Sequence, residues 1–239
     1  MSHPERIDPD ATEPGILALH LKRYDFALQL CHGLDVLDAA CGAGYGSAHL
    51  ATGARRVVGV DANTEAVAAA RARYPVPTIE FRVADVQALE DGDGTYDVVC
   101  SFETIEHVDD PERALGEFAR VLRSDGTLVI STPNARATTT SPDNPFHRIE
   151  WSAADFEALL HTFFGDVRIY GQRRLQTPAH RLVQNVDVLG LRRRIGFLRR
   201  GARLFRTAPT ADLTLDDIAI EERLERATEI VAVCRVPCR

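Results

Sequence analysis

Val36-Leu37-Asp38-Ala39-Ala40-Cys41-Gly42-Ala43-Gly44-Tyr45-Gly46-Ser47 is the stretch that decides the fold. An apolar run of buried-strand type passes directly into a glycine-rich turn and from there into a helical stretch. Glycine at such a turn lets the backbone approach a ligand closely and enter a helix without a Cβ clash. Strand and helix patterns then alternate along most of the chain. Residues 34–39, 56–60, 79–84, 97–102 and 127–131 are short apolar runs, and the stretches 45–52, 64–73 and 111–123 are helical. Asn63 or Thr64 can cap the second helix, Asp110 followed by Pro111 opens the third, and Ser124-Asp125-Gly126 supplies the turn into the next strand. After Pro133 comes a long polar loop containing Thr138-Thr139-Thr140-Ser141-Pro142-Asp143-Asn144-Pro145, and a helix opens at Ser152. Strands near 166–170 and 229–235 bring the expected number to seven. Alternation of this kind predicts an α/β fold: a Rossmann-like, seven-stranded, mostly parallel sheet with helices on both faces.

With 239 residues, the chain suits one domain with a substantial core. Residues 1–30 are expected to form an N-terminal helical cap and residues 172–215 a basic helical insertion. A composition of 45% hydrophobic and 26% charged residues excludes the disordered class, and no apolar run approaches the roughly 20 residues of a membrane span. Met1 to Asp10 carry neither a basic n-region nor an apolar h-region, which predicts a cytoplasmic location. A net charge of -7 gives no reason to expect a nucleic-acid partner. Cys31, Cys41, Cys100, Cys234 and Cys238 form no C-x-x-C pair, so reduced thiols are expected rather than disulfides or zinc. Between Arg181 and Arg206 stand eight arginines against one acid, Asp187, with Leu, Val, Ile and Phe interleaved. Such a segment suits a lid, a homodimer contact or a peripheral membrane contact.

The spacing G-x-G-x-G, with Asp38 at the strand end, argues against a dinucleotide. A carboxylate there would repel a pyrophosphate but favour a cationic amino-acid moiety. Asp61 closes the second strand and is suited to accept both hydroxyls of a ribose, while Asp85 could accept from an adenine amino group with Val86 packed on the ring. Three acidic strand ends in order make a site rather than three unrelated turns. Taken in order, D-x-x-C-G-x-G, V-x-G-V-D, A-D-V, Y-D-V-V and L-R-x-x-G-T-L-V-I-S-T-P-N resemble the class I S-adenosylmethionine-dependent methyltransferases over residues 20–170 and the last strand. The resemblance implies a reversed terminal hairpin, S-adenosylmethionine across the strand carboxyl ends, Gly42 and Gly44 beside its methionine, Asp61 and Ala62 at the ribose and Asp85 with Val86 at the adenine. Ser101 and Phe102, just after the fourth strand, would flank the methyl group. Arg23 is similar to an arginine that meets the cofactor carboxylate in ubiquinone-biosynthesis O-methyltransferases.

Next come Glu103-Thr104-Ile105-Glu106-His107, whose spacing puts both glutamates and the histidine within one turn, close enough to share a divalent ion. Beyond the polar loop stand His147, Glu150 and Trp151. E-x-x-E-H followed by H-x-x-E-W resembles the metal site of small-RNA 3'-terminal ribose 2'-O-methyltransferases, and its first half resembles the ubiquinone-biosynthesis enzymes, which methylate catechol-like hydroxyls. The resemblance implies Glu103, Glu106, His107 and His147 as ligands of Mg²⁺ or Mn²⁺, with His107 or His147 as a catalytic base if no metal is present. An RNA-binding extension is absent, so RNA is not the expected acceptor. Trp151 suits either the core or a wall of the acceptor pocket.

A sugar or alcohol hydroxyl is too weak an acid to attack a sulfonium unaided, and a bound cation would lower its pKa. The expectation is an O-methyltransferase acting on a small-molecule or oligosaccharide hydroxyl, favoured by the polar side chains at 138–144. The alternatives are a quinol or phenol O-methyltransferase at a membrane surface and a non-catalytic cofactor-binding partner.

Overall fold

The computed structural model describes residues 7–175 and 213–235. The Arg181–Arg206 cluster and most of the insertion expected at 172–215 lie outside the described residues. In chain order the elements are α1 (Pro14–Leu28), β1 (Asp35–Ala39), α2 (Tyr45–Leu50), β2 (Arg56–Asp61), α3 (Thr64–Arg73), β3 (Ile79–Val83), β4 (Tyr96–Phe102), α4 (Pro111–Val121), β5 (Leu122–Pro133), α5 (Ala153–His161), β6 (Asp166–Arg174), β7 (Ile218–Glu221) and β8 (Glu229–Arg235). Among the described residues, no helix is long and apolar enough to cross a membrane.

The strands form one sheet in the order β3-β2-β1-β4-β5-β8-β6-β7. Pairing is parallel from β3 to β5, whereas β8 runs antiparallel to both β5 and β6. From β1 the chain winds outward through β2 and β3, and from β4 it winds the other way, so the strand order reverses between β1 and β4. In open α/β sheets that reversal opens a crevice at the strand carboxyl ends. Eight strands stand where seven are expected. The additional one is Ile218-Ala219-Ile220-Glu221, which pairs with the outer end of β6 at the sheet edge. Four residues with a single pairing partner carry too short an apolar pattern to be read as a strand.

Successive strand residues serve opposite faces. Val36, Val98, Cys100 and Val129 face α1 and α2, where they meet Tyr24, Ala27 and Leu50. Leu37, Val99, Leu128 and Ile130 face α4 and α5, where they meet Leu115, Phe118, Phe156 and Leu160. Burial on both faces explains why these runs are continuously apolar rather than alternating. Trp151 joins the second core, 4% exposed and 5.7 Å from Phe156 between ring centroids, so it is a core residue and no pocket wall.

Helix starts follow the sequence closely. The Asn63 side chain accepts from the Ala66 amide, that of Asp110 from Arg113 and that of Ser152 from Asp155. Boundaries shift elsewhere. α2 stops at Leu50 and α4 at Val121, and the turn expected at Ser124-Asp125-Gly126 is carried inside β5 as a register shift between the Tyr96–Leu122 and Val98–Thr127 pairs. Cys31, Cys41, Cys100 and Cys234 are buried free thiols.

Candidate active site

At the carboxyl ends of β1 and β2, beside the reversal of strand order, the crevice is lined by backbone geometry. Gly42 and Gly44 have φ of 54° and 80°, the left-handed region that favours glycine. A Cβ on Gly44 would also lie 2.7 Å from the Ala70 Cβ and 2.9 Å from the Phe81 ring. Gly46 is equally constrained, because a Cβ there would fall 1.9 Å from the Tyr24 ring. Asp61, the last residue of β2, accepts the Gly42 amide on one carboxylate oxygen at 2.9 Å and the Asn63 amide on the other at 2.8 Å. That places an acid at the lip of the glycine turn, with exposed Ala62 following it.

Asp38 lies deeper. It is fully buried, accepting from the Ser47 hydroxyl at 2.6 Å and from the Tyr24 hydroxyl at 3.2 Å. Burial pushes its carboxyl up to about 7, opposed by those two hydroxyls and reinforced by the nearby Asp61 charge. Its hydrogen bonds thus clamp α1, β1 and α2 together. Asp85 stands two residues beyond the end of β3 rather than on it, exposed, and accepts from the Gln87 amide at 2.9 Å; Val86 is buried. Ser101 and Phe102 are the last residues of β4, not residues after it. Ser101 is buried with its hydroxyl unpartnered among the described residues, and Phe102 packs edge-on against Tyr24 at 4.8 Å. Arg23, 1% exposed, bonds His20 Nδ1 through Nη2 at 2.9 Å, while its Nε has no hydrogen-bond partner among the described residues.

Beyond β4 the chain does not form the helical turn expected for E-x-x-E-H. Glu103 has φ of 51°, a left-handed conformation costly for a side chain with a Cβ, and residues 105–107 form a turn that is not helical. The twist separates the two glutamates. Glu103 turns to β5, where its amide donates to the Ser131 carbonyl at 3.2 Å and its Oε1 accepts from the Ser131 hydroxyl at 2.7 Å. Glu106 is fully buried, with Oε2 accepting from the Thr132 hydroxyl at 3.1 Å and Oε1 unpartnered among the described residues. Burial, and next the neighbouring Glu103 charge, hold its carboxyl well above the usual carboxylate range.

The long loop supplies the second histidine. Thr139 and Glu150 exchange backbone hydrogen bonds at 2.9 and 3.0 Å, and the Arg148 amide donates to the Glu106 carbonyl at 2.8 Å. These ties bring the His147 ring to 4.9 Å from that of His107. Glu106, His107 and His147 each offer one ligand atom, all within 4.8 Å of one another. Glu103 is outside this group, so three of the four expected ligands come together. Nδ1 of His107 faces the Phe146 carbonyl at 3.0 Å, and Nδ1 of His147 faces Glu150 Oε1 at 2.7 Å. A carbonyl can only accept and a carboxylate accepts readily, so both rings donate a proton from Nδ1. Nε2 of His147 lies 2.9 Å from Asn144 Nδ2. Outer hydrogen bonds of this type orient imidazoles that bind metals. Two imidazoles and a carboxylate with an unpaired buried oxygen therefore fit a divalent cation.

A family profile described as "Methyltransferase domain" matches residues 37–130. A Mycolicibacterium smegmatis protein named "Probable S-adenosylmethionine-dependent methyltransferase" is 43% identical over 143 residues, covering 58% of this chain and 54% of that protein. The ubiquinone biosynthesis O-methyltransferase of Actinobacillus pleuropneumoniae is 31% identical over 137 residues, covering 53% of this chain and 58% of the relative. The chain thus spans about half the length of the curated relatives it matches. A solved S-adenosylmethionine-dependent methyltransferase of Thermotoga maritima shares the fold, with a TM-score of 0.63 and 16% identity over 92% of each chain.

Proposed function

We propose that this chain, which carries a class I S-adenosylmethionine-dependent methyltransferase domain, methylates a hydroxyl of a sugar or polyol with the help of a divalent cation. The observation that carries the reading is the meeting of Glu106, His107 and His147 at the carboxyl edge of β4 and β5. These three residues would hold Mg²⁺ or Mn²⁺, a cation that when bound lowers the pKa of a hydroxyl and orients it.

The remaining parts follow from the side chains themselves. Asp61 is positioned to accept two ribose hydroxyls, with Asp85 at the adenine end of the crevice and Gly42 and Gly44 giving the close approach that a methionine moiety requires. Arg23 offers an unpaired guanidinium N–H to a carboxylate, and the buried Ser101 hydroxyl lies beside the point where the methyl would be presented. With Nδ1 on the Phe146 carbonyl, His107 has Nε2 as the nitrogen that would take a proton from an acceptor hydroxyl, whereas Nε2 of His147 would do so only on release of the Asn144 amide.

The polar loop before His147 gives the sugar reading less support than its sequence suggests. Thr138 bonds Asp155 and Ser152, Thr139 accepts from the Ser141 amide, and Asn144 contacts His147 and Phe146. A quinol or phenol acceptor is the second reading, favoured by the identity to ubiquinone biosynthesis O-methyltransferases. The deciding assay is S-adenosylhomocysteine release with mono- and oligosaccharides against catechols and quinols, each with Mg²⁺, with Mn²⁺ and with excess EDTA. Saccharide turnover that EDTA abolishes is expected. Turnover confined to the aromatic acceptors would overturn the sugar reading, and full activity in EDTA would remove the metal from it.

A further inference from the structure

A second polar cluster occupies the same carboxyl edge on the opposite face of the sheet. Because β8 runs antiparallel to β5 and β6, its first residue, Glu229, pairs with Pro133 at the end of β5 and with Gln172 near the end of β6. Paired residues share a face. Two residues inward the same register aligns Ser131, Val231 and Tyr170, and Tyr170 packs on Phe26 of α1 at 5.2 Å between ring centroids. Glu229 and Gln172 therefore stand on the α1 side with Ser131, the partner of Glu103, whereas Thr132 and Glu106 stand on the other.

Gln172 is fully buried. Its Nε2 donates to Glu229 Oε2 at 3.0 Å, and the Thr228 hydroxyl donates to the same oxygen at 2.6 Å. The Gln172 amide oxygen has no partner among the described residues. Nor does Nε of buried Arg23, whose charge acts on Glu229 as it does on Glu106. A buried amide oxygen left unpaired is unfavourable, and native structures ordinarily satisfy one with protein, water or ligand. Folding alone does not require these polar groups, since β6 and β8 hold together through their backbones.

We infer that Gln172 and Glu229 form an acceptor subsite that binds hydroxyls of the acceptor other than the one methylated. The inference rests on the hydroxyl-acceptor reading above and deepens it. Gln172 Oε1 and the Glu229 carboxylate are both acceptors, so they match a ligand with several O–H donors. A glycoside has such hydroxyls to spare after two are placed beside the histidines. A catechol has none, and a prenyl chain would leave the amide oxygen unpaired.

The test uses Gln172→Leu and the milder Glu229→Gln, which keeps a carbonyl oxygen for the Gln172 amide. Each is assayed by S-adenosylhomocysteine release on the mono- and disaccharide panel and on deoxygenated analogues of the best saccharide, with calorimetric S-adenosylhomocysteine affinity as the control for an intact crevice. We expect the KM for the best saccharide to rise at least tenfold in Gln172→Leu and several-fold in Glu229→Gln, with kcat and S-adenosylhomocysteine affinity little changed. At least one deoxygenated analogue that the wild type discriminates against should be handled by Gln172→Leu as well as the parent sugar. If Gln172→Leu no longer binds S-adenosylhomocysteine, Glu229→Gln decides. Wild-type KM and undiminished discrimination with affinity intact would overturn the subsite and leave hydroxyl methylation standing. A wild-type enzyme that turns over no saccharide would overturn the saccharide reading itself, and the subsite with it.

Discussion

The crevice at β1 and β2 and the edge at β4, β5, β8 and β6 are both lined with acids, yet they treat those acids differently. On the crevice side every carboxylate oxygen named here is engaged by the protein: Asp61 by two backbone amides, Asp38 by two hydroxyls. At the other edge Glu106 Oε1 and Gln172 Oε1 are buried without partners among the described residues. Unpaired buried polar atoms each cost about 1–3 kcal/mol. The two acids of the first region are thus satisfied by the protein itself, although the Arg23 Nε and the Ser101 hydroxyl beside it are not, whereas the second region keeps acceptor oxygens unsatisfied among the described residues.

That contrast can be broken experimentally. The largest effect is expected at the acceptor edge, where Glu106→Gln or His147→Ala should lower turnover by about 100-fold or more, as loss of a ligand or base does. Cofactor affinity, measured by calorimetry, should hardly move, because neither residue lines the crevice. A parallel loss of affinity would merge the two regions into one.

Asp61→Ala should do the reverse. Removing a carboxylate suited to two ribose hydroxyls should weaken S-adenosylmethionine binding by about 2 kcal/mol, or roughly thirtyfold. Wild-type affinity in a calorimetric titration would refute the ribose assignment.

Asp38 sharpens the comparison through pH. Its folded-state value of about 7 stands above the ordinary carboxylate value of 3.8, so the folded protein holds this proton more tightly than the unfolded chain. The stability it contributes is therefore present at low pH and lost as pH rises through 7. Between pH 5.5 and 7 the loss should be about 1.5 kcal/mol, given up to about 1.4 kcal/mol per pH unit. Denaturant melts of the cofactor-free protein should show this slope diminished in Asp38→Asn. An equal slope in both would mean that Asp38 is ionised throughout.

The smallest expected effect is Asn63→Ala. Loss of the cap on α3 should cost about 1 kcal/mol of stability in the same melts, with turnover at saturating cofactor unchanged.

Much of the crevice was legible because its determinants are local. A strand, a glycine turn and a strand-end acid lie within a few residues of one another, and Asn63, Asp110 and Ser152 announce their helices by side-chain chemistry. The acceptor edge was legible only in part. His147 could be paired with His107 only through the resemblance of E-x-x-E-H and H-x-x-E-W to a known metal site, while the E-x-x-E-H spacing grouped Glu103 with Glu106 on the assumption of a helical turn. The left-handed backbone at Glu103 sends the two acids to opposite faces, and no sequence pattern marks a left-handed glutamate. Gln172 and Glu229 went unremarked because only the antiparallel register of β6 and β8 unites them. β7 escaped for the related reason that four edge residues carry little pattern.

The reversed direction of β8 has a consequence for the order in which the molecule is made. Apart from Asp85 and its neighbours, the crevice draws its residues from β1, β2 and the end of β4, all before Glu103. The far end of the acceptor edge waits for a strand that follows every other described element and delivers its first residue, Glu229, to that edge. A chain emerging from its N-terminus first would thus have synthesised the residues of the glycine crevice well before Glu229, the last piece of the edge proposed above as the acceptor subsite.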